Sequence, residues 1–113
     1  MSDTLNSINY GIYSNDSREI INDGVITAKG EGIRGNFIIN NGKIVVTGGL
    51  DNVVSAGVRM NHNYDTGEIG RFINSGSITS LEYAIDGDYF GSIMELRSGS
   101  KINGVIAGGV KET

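Results

Sequence analysis

Ile38-Ile39-Asn40-Asn41-Gly42-Lys43-Ile44 decides how this chain is read. Two apolar residues run into two turn formers and a glycine, then a spacer, then Ile. Three other stretches follow the same wording. They are Ile20-Ile21-Asn22-Asp23-Gly24-Val25-Ile26, Phe72-Ile73-Asn74-Ser75-Gly76-Ser77-Ile78 and, in weaker form, Met94-Glu95-Leu96-Arg97-Ser98-Gly99-Ser100-Lys101-Ile102. A shorter element precedes each one: Gly11-Ile12-Tyr13, Gly32-Ile33-Arg34, Gly57-Val58-Arg59 and, with Ala for Gly, Ala84-Ile85-Asp86. Successive short elements lie 21, 25 and 27 residues apart, and the order within each pair never changes. An ordered pair recurring at this period is the signature of a stacked repeat.

Composition agrees. Of the 113 residues, 16 are Ile, 8 Val and 4 Leu, and Pro, Cys and Trp are absent. Ile and Val suit a pleated strand better than a helix. The 18 Gly and 12 Asn supply turn positions, where a φ above zero is often required. Each apolar island is too short for an amphipathic helix. It fits a strand of three to five residues with alternate side chains turned inward.

An Asn-Gly turn between antiparallel strands would make a hairpin. Recurrence every 20 to 27 residues instead suggests one coil per repeat, each stacked on the last at about 4.8 Å. The expected fold is all-β: a right-handed, single-stranded parallel β-helix (a β-solenoid) of about four short coils. Residues 1–9 form a lead-in, 10–109 the repeats and 110–113 a tail. The stretch Gly104–Gly109 reads as the start of a further coil. An antiparallel sandwich or barrel of the same short strands is the competing fold. Extra residues at Gly48–Asn52 and Asn61–Gly67 read as loops at solenoid corners.

The pattern resembles the passenger domains of classical autotransporters, secreted bacterial surface proteins built on right-handed parallel β-helices. The likeness runs over residues 10–109. It rests on Phe72-Ile73-Asn74-Ser75-Gly76-Ser77-Ile78 together with Gly11-Ile12 and Gly32-Ile33. The resemblance implies an extracellular or cell-surface location and a non-catalytic role as adhesin or structural stalk. Its implied partners are a host surface or a polysaccharide. No basic n-region or apolar h-region opens the chain, so the protein is expected to be either cytosolic or an excised piece whose export signal lies elsewhere, and the resemblance implies the second.

The remaining features narrow the chemistry. A net charge of −4 and a pI near 4.8 argue against nucleic acid, which requires a basic face. The longest apolar runs, Phe37-Ile38-Ile39 and Ile44-Val45-Val46, are far too short to insert in a membrane. Without Cys, and with His62 alone in a polar loop, neither a zinc site nor a Ser/His/Asp triad is expected.

Asp86-Gly87-Asp88, and Asn63 with Asp65 and Glu68, are the two loose groups that calcium could use. Gly48-Gly49-Leu50-Asp51 occurs once and lacks the spacing of a calcium repeat. Turn-forming and solvated Asp is the expected role. The same carboxylates, Asp65, Glu68, Asp86 and Asp88, would serve a polysaccharide-active β-helix enzyme, the principal alternative. A phage-type trimeric fibre segment is another. Tyr89-Phe90 reads as internal stacking or an exposed contact. No catalytic, cofactor-binding or metal-binding residue is assigned, and uncapped solenoid ends are expected to favour self-association.

Overall fold

The computed structural model describes residues 4–6, 10–13, 19–48, 54–61, 66–87, 92–107 and 110–112. It is all-β. Among the described residues thirteen strands follow one another: β1 (Thr4–Asn6), β2 (Tyr10–Tyr13), β3 (Glu19–Asn22), β4 (Val25–Ala28), β5 (Glu31–Gly35), β6 (Phe37–Asn40), β7 (Lys43–Val46), β8 (Ala56–Met60), β9 (Gly70–Asn74), β10 (Ser77–Asp86), β11 (Ser92–Leu96), β12 (Lys101–Ala107) and β13 (Val110–Glu112).

Every pairing among these strands is parallel. The antiparallel hairpin that Asn41-Gly42 could have closed does not form: β6 pairs with β3 and β9, and β7 with β4 and β10. Parallel neighbours need a long connection. Here the connection is itself strand, because the chain visits two other rows before returning.

Three rows result. One runs β1, β4, β7, residues 77–80 of β10 and residues 101–103 of β12. The second runs β2, β5, β8, residues 83–86 of β10 and residues 105–107 of β12. The third runs β3, β6, β9, β11 and β13. The long strands β10 and β12 turn from the first row into the second and join them in one eight-stranded sheet. At that bend, Ser80, Leu81 and Glu82 of β10 lie against Gly104 alone in β12, whose φ of 140° lets the chain take the shorter path. The strands at 4–6 and 110–112 extend the rows into the lead-in and the tail.

Each row carries one inward apolar column. Ile26, Ile44 and Ile78 align in the first and continue to Ile102. Ile12, Ile33, Val58, Ile85 and Ile106 align in the second. Ile20, Ile38, Phe72 and Met94 align in the third. The middle members of all three columns are fully buried and form a single core. Each fully buried Ile stabilises the fold by roughly 1.5–3 kcal/mol.

The paired sequence elements face each other across this core. A Cβ on Gly11, Gly32 or Gly57 would lie within 2.7 Å of the Cγ2 methyl of Ile26, Ile44 or Ile78, respectively. Lacking a Cβ, the short element admits the Ile that closes the long one. This explains why the two occur together in the first three repeats although the residues between them vary in number.

Candidate functional site

Three of the eight buried polar or charged residues among those described lie at the corner between the third and first rows. Asn22, Asn40 and Asn74 occupy equivalent register positions at the ends of β3, β6 and β9, each with 0% exposure. Asn22 Nδ2 donates to Asn40 Oδ1 at 2.9 Å, and Asn40 Nδ2 donates to Asn74 Oδ1 at 2.8 Å. Asn74 Nδ2 donates onward to the carbonyl of Gly76 at 3.1 Å. A buried amide is tolerated only when partnered. Stacking identical amides at the interstrand spacing lets each one serve the next, as in the side-chain ladders of cross-β assemblies.

Outside this ladder the turns also stack. Asn41 donates to Asp23, and the Ser75 hydroxyl donates to Asn41, each at 2.9 Å. The glycines of these turns are not in the left-handed region. Sequence reasoning assigned Asn-Gly to a φ above zero, but at Gly42 and Gly76 the need is for close approach. A Cβ there would lie 2.1 and 2.0 Å from the carbonyl oxygen of the turn below.

A second cluster lies on the outside of the second row. The register aligns Tyr13, Arg34, Arg59 and Asp86 in one outward column. Glu31, only 1% exposed, enters it from the start of β5. Its Oε2 accepts from Arg34 and from Arg59, each at 2.5 Å. Arg59 also reaches Asp86 at 3.2 Å and the carbonyl of Val54 at 2.8 Å. The Arg34 guanidinium lies 5.2 Å from the centre of the Tyr13 ring, a cation–π distance. Burial opposes the Arg34 charge, but hydrogen bonding and attraction to Glu31, with a further contribution from Tyr13, raise its pKa above the usual arginine value. Glu31 Oε1 is buried without a hydrogen-bond partner.

The ion pairs balance two arginines with two carboxylates and tie β5, β8 and β10 together, and Tyr13 adds β2 through its ring. Sequence reasoning missed this cluster, although the signal was in the repeat. Aligning Gly11-Ile12-Tyr13, Gly32-Ile33-Arg34, Gly57-Val58-Arg59 and Ala84-Ile85-Asp86 puts the same four residues in one column.

At the bend of β10, the backbone N–H and the hydroxyl of Ser55 both donate to Glu82 Oε1 at 2.9 Å. These two bonds hold the Glu82 carboxyl below its ordinary range, with a smaller contribution from the charge of Arg59.

Of the candidate carboxylates Asp65, Glu68, Asp86 and Asp88, only Glu68 and Asp86 lie among the described residues. Asp86 is bound to Arg59, while Asp88, Tyr89 and Phe90 lie outside the described residues. His62, Asn63, Asp65 and Asp51 also lie outside them. Glu68 is exposed, and its carboxylate accepts from the hydroxyl of Thr66 at 3.2 Å. Among the described residues, no group of three His, Cys, Asp or Glu could hold a metal ion. An open groove of about 530 Å³ runs beside Val45, Thr47, Thr79, Leu81 and Asn103, with no charged side chain along it. Among the described residues, no helix is long and apolar enough to cross a membrane. No family model, curated protein or solved structure matches this chain.

Proposed function

We propose that this chain is a β-solenoid segment of a secreted or surface-exposed bacterial protein and serves as a non-catalytic structural scaffold. The observation carrying the proposal is the three-row parallel order, with the buried Asn22–Asn40–Asn74 ladder at one corner. In this reading each circuit of three strands is one coil, and the ladders run along the solenoid axis. The resemblance of the repeats to autotransporter passengers supports a bacterial surface location. Capacity to bear load would come from side chains that hydrogen-bond and pack only with the coils above and below.

Passenger-type export needs a segment that can cross the outer membrane unfolded and then fold. A Cys-free, Pro-free chain with a strongly periodic core suits that route. The outward carboxylates take a structural part: Glu31 and Asp86 hold arginines, and Glu82 holds Ser55.

Fusion of residues 1–113 to an autotransporter translocator barrel tests the proposal. The expected result is display on the cell surface as a protease-resistant core that leaves soluble polysaccharides uncleaved. Retention in the periplasm or rapid proteolysis of the displayed chain would overturn it. So would depolymerisation of a polysaccharide that is lost on replacing a carboxylate.

A further inference from the structure

An Asn followed by Gly is chemically labile. Glycine puts no side chain in the way when its backbone nitrogen turns on the amide of the preceding Asn. The chain holds two such pairs, Asn41-Gly42 and Asn103-Gly104. The first forms the two-residue turn between β6 and β7. Asn41 is exposed, so water reaches it. Exposure alone would make this amide short-lived.

The geometry of the turn opposes that. The N–H groups of Asn41 and Gly42 both donate to the Asn22 carbonyl, at 2.9 and 3.0 Å, and that of Lys43 donates to the Gly24 carbonyl at 2.8 Å. The Gly42 nitrogen is thereby fixed onto the turn below. The Asn41 amide is held at both of its ends, since Nδ2 donates to Asp23 and Oδ1 accepts from Ser75. It spans the stack, and carrying its Cγ to the Gly42 nitrogen breaks both bonds. Space is short as well. A Cβ on Gly42 would lie 2.1 Å from the Gly24 carbonyl oxygen and 2.9 Å from the Asp23 carbonyl carbon.

We propose that Asn41 is a site of spontaneous deamidation, closed in the folded protein and open in the unfolded chain, and that its isoaspartate product bars refolding. In the unfolded chain the Gly42 nitrogen attacks Asn41 Cγ. A bond from that nitrogen to Cγ forms, the bond from Cγ to Nδ2 breaks, and ammonia leaves with the proton of the Gly42 nitrogen. Water then opens the cyclic imide. Attack on the Cγ carbonyl gives aspartate, and attack on the backbone carbonyl gives isoaspartate, in which the chain runs through Cβ and Cγ.

Isoaspartate lengthens the backbone inside a two-residue turn. The strands on either side are fixed in register, β6 on β3 and β7 on β4. A longer link cannot keep the Gly42 and Lys43 amides on the Asn22 and Gly24 carbonyls while both registers hold. Aspartate is milder, because it only sets a second carboxylate beside Asp23. Time spent unfolded therefore limits how much of the chain can still fold.

Peptide mapping by mass spectrometry after incubation at mildly alkaline pH reads the conversion of amide to acid at Asn41. It should proceed in guanidinium chloride and be slower in the native protein by about tenfold or more, because there it waits on local opening. No conversion in guanidinium chloride, or equal rates in the two states, would overturn the proposal. Chains aged in guanidinium chloride and diluted into buffer should then divide. The protease-resistant, refolded fraction should be depleted in isoaspartate at residue 41, and equal content in the refolded and unfolded fractions would sink the refolding claim.

Asn41→Ser copies Ser75 of the following repeat and removes the site, so more of the aged chain should refold; no gain would count against the proposal. The first two readouts use the wild-type chain and decide the matter even where this variant fails to fold. A native protein that deamidates freely at Asn41 would leave the scaffold reading standing.

Discussion

The corner after β6 and the corner after β11 occupy the same place in the third row, one in the middle of the stack and the other near its end. After β6 and β9 the turn is two residues long, and a buried Asn closes each strand. After β11 the register position of Asn74 is taken by Leu96, which is 40% exposed, and four residues separate β11 from β12. Gly99 in this longer turn has a φ of 93°. The Asn side chains bond one another from strand to strand, and Asn22 and Asn74 also bond the carbonyls of Gly24 and Gly76 in their own turns, so the short turn can repeat. Leu can do neither. The chain then needs a longer turn that satisfies itself, as in the bond from Ser100 N–H to the Arg97 carbonyl at 3.0 Å.

Alanine at the turn glycines should break the comparison most strongly. Gly76→Ala places a methyl 2.0 Å from a backbone carbonyl and is expected to lower stability by about 3 kcal/mol. The nearest atom to a methyl on Gly99 is 3.5 Å away, so Gly99→Ala bears only the left-handed backbone penalty of about 1–2 kcal/mol. Urea midpoints measure both. Equal losses would mean that close approach does not govern the short turns.

A somewhat smaller effect is expected from the ladder itself. Asn40→Ala removes a donor and an acceptor in the middle and leaves Asn74 Oδ1 without its ladder partner. A loss of about 2–3 kcal/mol is expected. Leu96→Ala, at a partly exposed position, should cost about 1 kcal/mol or less. Thermal melts that rank the two in the opposite order would show that the ladder is not what holds the corner.

The difference can also be erased. Replacing Leu96–Ser100 by Asn-Ser-Gly would supply the missing member. It should stabilise by about 1 kcal/mol if the added amide accepts from Asn74. A lower melting temperature would show that the upper corner cannot take the short turn.

Acid should separate the regions more gently. The buried ladder is made of amides and does not titrate, whereas the bend of β10 is held to Ser55 by the Glu82 carboxylate. The folded pKa of Glu82 lies below its ordinary value, so its contribution is present above the unfolded pKa of about 4.3. It is lost as pH falls through the folded pKa. Hydrogen exchange normalised to the intrinsic rate at each pH should rise in acid at the amides of Ser55 and Tyr83 before it rises at Asn40, and Glu82→Gln should remove that pH dependence. Exchange rates that rise together would disprove the local origin.

Much of this architecture was legible beforehand, for a physical reason. A stacked repeat imposes the same environment on equivalent residues, so Ile26, Ile44 and Ile78 are alike in sequence because they are neighbours in space. The same logic made the Asn-x-Gly turns visible. It also marked the fourth as weaker, and there Leu96 interrupts the ladder. The outward Tyr13–Arg34–Arg59–Asp86 column was harder to see because its members differ in type. Complementary partners, unlike identical ones, leave no repeated letter.

The sequence by itself determined the strand-rich character, the short length of the strands and the pairing of Gly-Ile with Asn-x-Gly-x-Ile. Local stereochemistry is enough for this: β-branched side chains, turn formers and the period-two alternation of a strand. Only the tertiary structure decided that the strands lie parallel, that Gly42 and Gly76 are required by the carbonyl beneath them, and that Glu31 draws two arginines from different strands. Each of these depends on atoms 18 or more residues apart or on a partner in a neighbouring strand, and no local preference encodes such a meeting until the rows are stacked.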